Sequence, residues 1–229
     1  MKLSVIIPCY NEIKNVPLIL KKVEEVVLIK SMKREIIIID DGSTDGSKEY
    51  IKNKVSNKIK KIYHKKNRGK GAALRTGIKY ATGDIILFQD ADLELNPQEY
   101  NKLILPIING DYDVVYGSRF LNQHKASSIA HLLGNLFLTF ATRVLYGADI
   151  TDMETCYKIF KKEIIQNINL NSDDFNIEPE ITAKILKMGI KIKEISITYN
   201  PRSTKEGKKM KWRYGLGAIW TLLYWRLKN

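Results

Sequence analysis

The segment ILFQDADLELNP (86–97) runs from three apolar residues, Ile86, Leu87 and Phe88, straight into three acids, Asp90, Asp92 and Glu94. With one residue between them, Asp90 and Asp92 fall on the same side of an extended turn, and Glu94 is next in step. Oxygen ligands of this kind suit Mg²⁺ or Mn²⁺, and one or two carboxylates suffice when phosphate groups complete the shell. A capped turn ahead of a helix at Pro97 accounts for one of these acids. Three acids after a wholly apolar strand favour the metal reading.

A second acidic group, DDGSTDG (40–46), also follows an apolar run. Part of it reads as an Asp/Gly turn leading into a helix capped by Ser43 or Thr44. The pair Asp40 and Asp41 at a strand end is better explained by hydrogen bonds to a base or ribose. The stretch NRGKGAALRTG (67–77) is glycine-rich and basic, with Lys70 near its start, and it opens a helix. Such a segment approaches a phosphate closely, although it is not the GxxxxGK[ST] loop, and no GxGxxG follows the first strand.

The elements that must hold these residues alternate between two periodicities. LSVIIP (3–8), EIIIID (35–40), IKKIYH (59–64), DIILFQD (84–90) and DVVYGS (113–118) read as strands. Helix-like segments lie near 16–30, 45–54, 70–81 and 97–108, with Pro17 and Pro97 where a first helical turn tolerates proline. Apolar strands separated by helices predict an α/β fold, a mostly parallel sheet covered on both faces. Ligands of such sheets bind beyond the carboxyl ends of the strands. The sequences PCYNE, DDGSTDG, QDADLE and GSRF all fall at those ends, so four strands aim polar residues at one crevice. Further on, 127–146 reads as one amphipathic helix, 152–160 as a strand, 178–188 as a helix and 191–198 as a strand.

Composition sets the wider bounds. With 229 residues and 44% hydrophobic content, the chain predicts one domain with a full core. A formal charge of +13 calls for an anionic partner: nucleic acid, anionic membrane or a phosphorylated small molecule. Cys9 and Cys156 have no metal or CxxC spacing and read as small buried residues, which suits a reducing cytoplasm. The N-terminal apolar run is too short for a signal peptide, and no stretch reaches the ~20 uncharged apolar residues of a spanning helix. The segment 129–147 carries His131, Asn135 and Arg143. A soluble or peripheral protein is expected, with 1–211 as its main body and 212–229 as a C-terminal helix of the same domain.

PCYNE, DDGSTDG, NRGKGAA, QDADLE and GSRF, in this order and spacing, resemble the family 2 glycosyltransferases of the GT-A fold. DMETCYKIFKKEI, FNIEPEITAKI and PRSTKEGKKMKW resemble the later segments of one branch, the polyprenyl-phosphate sugar transferases typified by dolichyl-phosphate mannose synthase. The resemblance implies a nucleotide-sugar donor held by Pro8, Tyr10, Glu12, Asp40 and Asp41, together with Lys70 and Asp90. It implies Mg²⁺ or Mn²⁺ on Asp90, Asp92 and Glu94, and a catalytic set of Asp92, Arg119 and Arg202, the two arginines meeting phosphate groups. Relatives often carry another arginine after GSR; here Lys125 and His131 are the candidates to replace it at the acceptor phosphate.

The chemistry is consistent with those residue types. A leaving diphosphate must be neutralised, and a divalent metal with cationic side chains does that. A polyprenyl phosphate is already an anion and needs no strong base. Direct displacement inverts the anomeric centre. From Pro201 onward eight Lys/Arg face a single acid, interleaved with Trp212, Tyr214, Trp220, Tyr224 and Trp225. That tail reads either as a helix on an anionic membrane surface or as one docked on the sheet. A lipid acceptor favours the first and predicts a peripheral protein on the cytoplasmic membrane face. Two rivals stand beside this reading. One is a transferase acting on a soluble hydroxyl, with Glu178 or Glu180 as base. The other is a nucleic-acid-binding module, which the acidic crevice disfavours by repelling backbone phosphates.

Overall fold

The computed structural model describes residues 1–121, 128–202 and 213–228. Seven strands form one sheet: β1 (Lys2–Cys9), β2 (Lys33–Asp40), β3 (Lys60–Tyr63), β4 (Ile85–Phe88), β5 (Val114–Ser118), β6 (Lys158–Lys161) and β7 (Ile192–Ser196). Their spatial order is β3-β2-β1-β4-β6-β5-β7. Four pairings are parallel, and β6 runs antiparallel to both of its neighbours. The sheet is therefore mostly parallel, as expected, with one reversed strand that periodicity alone does not disclose.

Because side chains alternate along a strand, β1 feeds two cores. Leu3, Val5 and Ile7 pack with α1 (Val16–Glu25), α2 (Ser47–Lys54) and α4 (Tyr100–Ile108) on one face. Ile6 packs with α3 (Lys70–Tyr80), α6 (Lys162–Asn167) and α7 (Ile177–Lys187) on the other. Helix α3 lies tightly on the sheet at Gly77, where a Cβ would sit 2.3 Å from an Ile6 methyl. A smaller cluster joins α5 (Ile129–Tyr146) to α8 (Arg213–Leu227) through Leu138, Ala218 and Leu222.

Three boundaries differ from the expectation. The first helix stops at Glu25 rather than residue 30, because Val26 is extended and the Arg34 guanidinium caps the end. It donates to Val26 O (2.8 Å) and Glu24 O (2.6 Å). The strand expected over 152–160 shrinks to Lys158–Lys161. Side chains fold the preceding residues into a turn: Thr155 Oγ1 donates to Gly117 O (2.5 Å), and Lys158 Nζ donates to Met153 O (2.9 Å) and Thr155 O (2.5 Å). Helix α5 starts at Ile129, where the Ser128 hydroxyl accepts the His131 N–H at 3.2 Å.

Helix α5 has 18 residues with mean hydropathy 1.3, long and apolar enough by length and composition to cross a membrane. It packs against α8, with Leu138, Thr139 and Thr142 buried. Ile129, Leu133, Phe137, Phe140 and Val144 face outward, each more than 60% exposed.

Candidate active site

A cleft of about 500 Å³ opens beyond the carboxyl ends of β1, β2, β4 and β5. Pro8, Tyr10 and Glu12 enter it from β1, Asp41 from β2, Asp90, Asp92 and Glu94 from β4, and Arg119 from β5. Lys70 from α3, His131 from α5 and Arg202 complete the set, so eleven of the residues singled out in the sequence line it. Asp40 does not: it is fully buried, with one carboxylate oxygen accepting the Ser43 N–H at 3.3 Å and the other unpartnered among the described residues. Lys125 lies outside the described residues, as do Trp212 and the basic tail residues between Arg202 and Arg213.

Asp41 organises the glycine-rich loop. Its carboxylate accepts the Gly69 N–H (2.7 Å) and the Arg68 N–H (3.0 Å), and pairs with His64 Nδ1 at 2.6 Å. Gly69 has φ +100°, and a Cβ there would fall 2.3 Å from Asp173 O, so the close loop crossing needs glycine. Lys70 thereby enters the cleft at the helix start. Its Nζ meets Asp90 Oδ1 at 2.9 Å and Cys156 Sγ at 3.1 Å. It also lies 3.0 Å from Glu178 Oε1, an ion pair without hydrogen-bond alignment. Burial opposes the charge on Lys70, but Asp90, Cys156 and Glu178 hold its pKa well above the usual lysine value. Burial likewise opposes the ionisation of Asp90, yet Lys70 keeps its carboxyl below the ordinary range.

The second cation comes from far along the chain. Arg202 Nη2 donates to Asp92 Oδ2 at 2.8 Å and Nη1 to Glu12 Oε2 at 3.2 Å. Its backbone N–H donates to Glu94 Oε1 at 2.9 Å, while Tyr199 OH donates to Glu94 Oε2 at 3.0 Å. Leu93, between Asp92 and Glu94, takes φ +64°, a left-handed conformation a branched side chain adopts only under constraint. Burial and repulsion from Asp90 and Glu94 push Asp92 up to about 7, despite Arg202.

Whether the acids suit a divalent cation is decided by this geometry. Among the described residues no three His, Cys, Asp or Glu side chains converge as a ready-made metal site. Glu94 is committed to Tyr199 and Arg202, which argues against it as a third ligand in this arrangement. Asp90 and Asp92 remain, both lining the cleft. One or two carboxylates with diphosphate oxygens are what Mg²⁺ requires. The residues fit on those terms.

Arg119 is held rigidly. Its Nε and Nη2 form a two-pronged pair with Asp152, both at 2.7 Å, and Asp152 is itself fixed by accepting the Arg119 N–H at 2.9 Å. Asp152 is a residue whose importance only the fold reveals. Glu178 Oε2 also accepts from Lys158 Nζ at 2.6 Å, so two lysines neutralise this acid. Glu180 faces elsewhere, accepting the Asn171 and Ser172 N–H groups at 2.9 and 2.7 Å. His131 pairs through Nδ1 with the Ser128 hydroxyl at 2.7 Å at the edge of the cleft.

Sequence reasoning missed Glu154, which lines the cleft while only 7% exposed. The apolar neighbours of DMETCYKIF suggested a strand and hid it; a second acid two residues after Asp152 was the available signal. Burial pushes its carboxyl from an ordinary 4.5 up to about 7, with Glu178 and Asp152 adding repulsion and Lys158 and Arg119 opposing. Between those two pH values the folded protein holds a proton that the unfolded chain has released, so stability falls as pH rises. Glu154→Gln is expected to flatten that fall by roughly 2–3 kcal/mol. Urea midpoints at pH 4.5 and 7.5 measure it; equal slopes in both proteins contradict the assignment.

Residues 4–168 match the family described as glycosyl transferase family 2. The chain belongs to that family, and its fold is GT-A. An uncharacterised protein of Methanocaldococcus jannaschii is 32% identical, over 86% of this chain and 80% of its own. The dolichol-phosphate mannosyltransferase of Pyrococcus furiosus is 31% identical over 98% of this chain; the match spans 64% of that enzyme's length. The undecaprenyl-phosphate 4-deoxy-4-formamido-L-arabinose transferase of Aeromonas hydrophila is 27% identical over 96% of this chain and 65% of its own. Glucosyl-3-phosphoglycerate synthase of Mycobacterium tuberculosis, solved with Mn²⁺, UDP and glucosyl-3-phosphoglycerate, is similar in fold. It gives a TM-score of 0.74 at 18% identity, covering 98% of this chain and 79% of its own.

Proposed function

We propose that the protein is a divalent-metal-dependent, inverting glycosyltransferase that moves a hexose, mannose or glucose, from a nucleoside-diphosphate sugar to a polyprenyl phosphate. The observation that carries the lipid acceptor is the shared use of two helices. His131 and Asn135 of α5 and Tyr214 of α8 line the cleft, while Leu133, Phe137, Phe140 and Trp220 of the same helices are exposed. An apolar platform beside a cation-bearing cleft suits an acceptor with a hydrocarbon chain and an anionic head. The named functions of the Pyrococcus and Aeromonas relatives support the same acceptor class.

Pro8, Tyr10 and Glu12 form the nucleotide end of the cleft with Asp41, and Asp40 supports the turn behind them. Asp90 and Asp92 would hold Mg²⁺ or Mn²⁺, which supplies charge neutralisation for the departing diphosphate. Lys70 and Arg202 add fixed positive charge at the same place, where low dielectric strengthens it. Arg119, oriented by Asp152, presents its guanidinium toward the reacting end, with His131 near the acceptor phosphate. No side chain must remove a proton from a phosphate acceptor. Glu178, the base that a hydroxyl acceptor would require, is neutralised by Lys70 and Lys158.

A donor panel of GDP-mannose, UDP-glucose and UDP-N-acetylhexosamines, with polyprenyl phosphate, Mn²⁺ and membranes, tests the reading through product mass. Glycosylation of soluble sugars alone, with none of the lipid, contradicts it. Docking on the cytoplasmic membrane face has its own test. Phe137→Ser with Trp220→Ser is expected to leave the melting temperature unchanged, since both side chains are more than 60% exposed. Sedimentation with anionic liposomes should weaken at least tenfold, given roughly 1.5–3 kcal/mol for burying a large apolar side chain. Unchanged sedimentation places the contact elsewhere.

A further inference from the structure

We propose that Glu154 recognises hydroxyl groups of the hexose on the donor, and so helps to set which sugar is transferred. The inference rests on the transferase reading above. Glu154 sits in the turn before β6, in the cleft wall, and is more than nine-tenths buried. Its Oε1 is a buried acceptor with no hydrogen-bond partner among the described residues. Leaving such an atom unpaired is costly, and a ligand that donates to it removes the cost.

Position decides which part of the ligand that is. Lys70 links Asp90, at the diphosphate end, to Glu178 and Cys156. Lys158 continues the chain from Glu178 and acts electrostatically on Glu154. Asp152, two residues before Glu154, holds Arg119, and Cys156, two residues after it, meets Lys70 beside Asp90, so Glu154 belongs to the cleft wall between the Arg119 and Asp90 ends, where the group attached to the second phosphate would lie. The ligand's chemistry is also constrained. Phosphate oxygens that carry no proton cannot donate to Oε1, whereas the hydroxyls of a neutral polyol can. Lys158 does not account for Glu154 as a structural partner, because its ammonium donates to Met153 O, Thr155 O and Glu178 Oε2. A site built to hydrogen-bond a hydroxyl discriminates strongly against an analogue that lacks it.

The test compares binding of nucleoside diphosphate with binding of the matching diphosphate sugar, by calorimetry with Mn²⁺, for wild type, Glu154→Gln and Glu154→Leu. UDP with UDP-glucose and GDP with GDP-mannose are the probes. Affinity for the diphosphate alone should stay within about twofold, while affinity for the sugar nucleotide falls about tenfold in Glu154→Leu and less in Glu154→Gln. In transfer assays the donor KM should rise with kcat little changed, and the preference between glucose and mannose donors should narrow. Equal loss for diphosphate and sugar nucleotide overturns the proposal in favour of a structural role. Unchanged sugar-nucleotide affinity with kcat down a hundredfold overturns it in favour of a base. If Glu154→Leu does not fold, Glu154→Gln and its donor preference decide alone, and unaltered preference and affinity overturn the proposal. A wild type that binds neither diphosphate sinks the transferase reading itself, a result distinct from any variant effect.

Discussion

Asp92→Asn is expected to abolish most transfer while leaving the fold intact. The amide keeps the shape of the side chain and its contact with the Glu94 N–H, now 3.1 Å. It loses the charge that metal binding requires. Several kcal/mol of transition-state stabilisation depend on that charge, so kcat at millimolar Mg²⁺ or Mn²⁺ should drop roughly 10²–10³-fold or more. Stability moves the other way. The carboxyl of Asp92 is pushed up to about 7 by burial and by Asp90 and Glu94. Its stabilising protonated form is lost as pH rises toward and past that value, so at pH 8 a neutral isostere should melt no lower than wild type. Activity and melting temperature measured on one preparation check both halves. Near-normal transfer in metal-free buffer removes Asp92 from a metal role.

Lys158→Met should produce the largest loss of stability. Lys158 is fully buried, and its ammonium serves two carbonyls and Glu178. Methionine fills much of the volume but leaves those acceptors without a donor. Removing one partner of a buried ion pair costs about 3–5 kcal/mol, and Lys70 offsets part of this by remaining beside Glu178. For a chain of this size the melting temperature should fall by roughly 6–15 °C. Adding Glu178→Leu to Lys158→Met should recover part of the loss, since the carboxylate that Lys158 directly bonds is then gone as well. A single variant as stable as wild type would show that the network is not under this electrostatic constraint.

The sequence alone determined the sheet and the convergence of its strand ends. Runs such as EIIIID and DIILFQD bury on both faces, which specifies strands covered by helices. The acids following them must emerge at one edge, so Asp41, Asp90 and Asp92 were legible as a group. These are short-range inferences, because apolar periodicity and turn chemistry act within a few residues. The reversed direction of β6 was not legible, since an apolar tetrad reads the same both ways. Nor were the 152–157 turn and the placement of Glu154 in the cleft wall, because side-chain bonds to Gly117 and Arg119 create them across 33 residues or more.

The tertiary structure also decided how the charges are paired. Arg202 reaches Asp92 across 110 residues and Glu12 across 190. No local pattern records such a partnership, and only chain folding brings the groups together. Two glutamates in FNIEPEI looked equivalent as bases, yet the helix turns Glu178 into the cleft between two lysines and Glu180 toward the 171–172 backbone. Residues two apart on a helix point in different directions, and their chemistry follows from what each direction meets. Sequence thus determined which charged groups gather at the strand ends, through local burial and turn preferences. The fold determined which of them neutralise one another and which remain for a ligand, because electrostatic pairing depends on distances set by contacts remote in the chain.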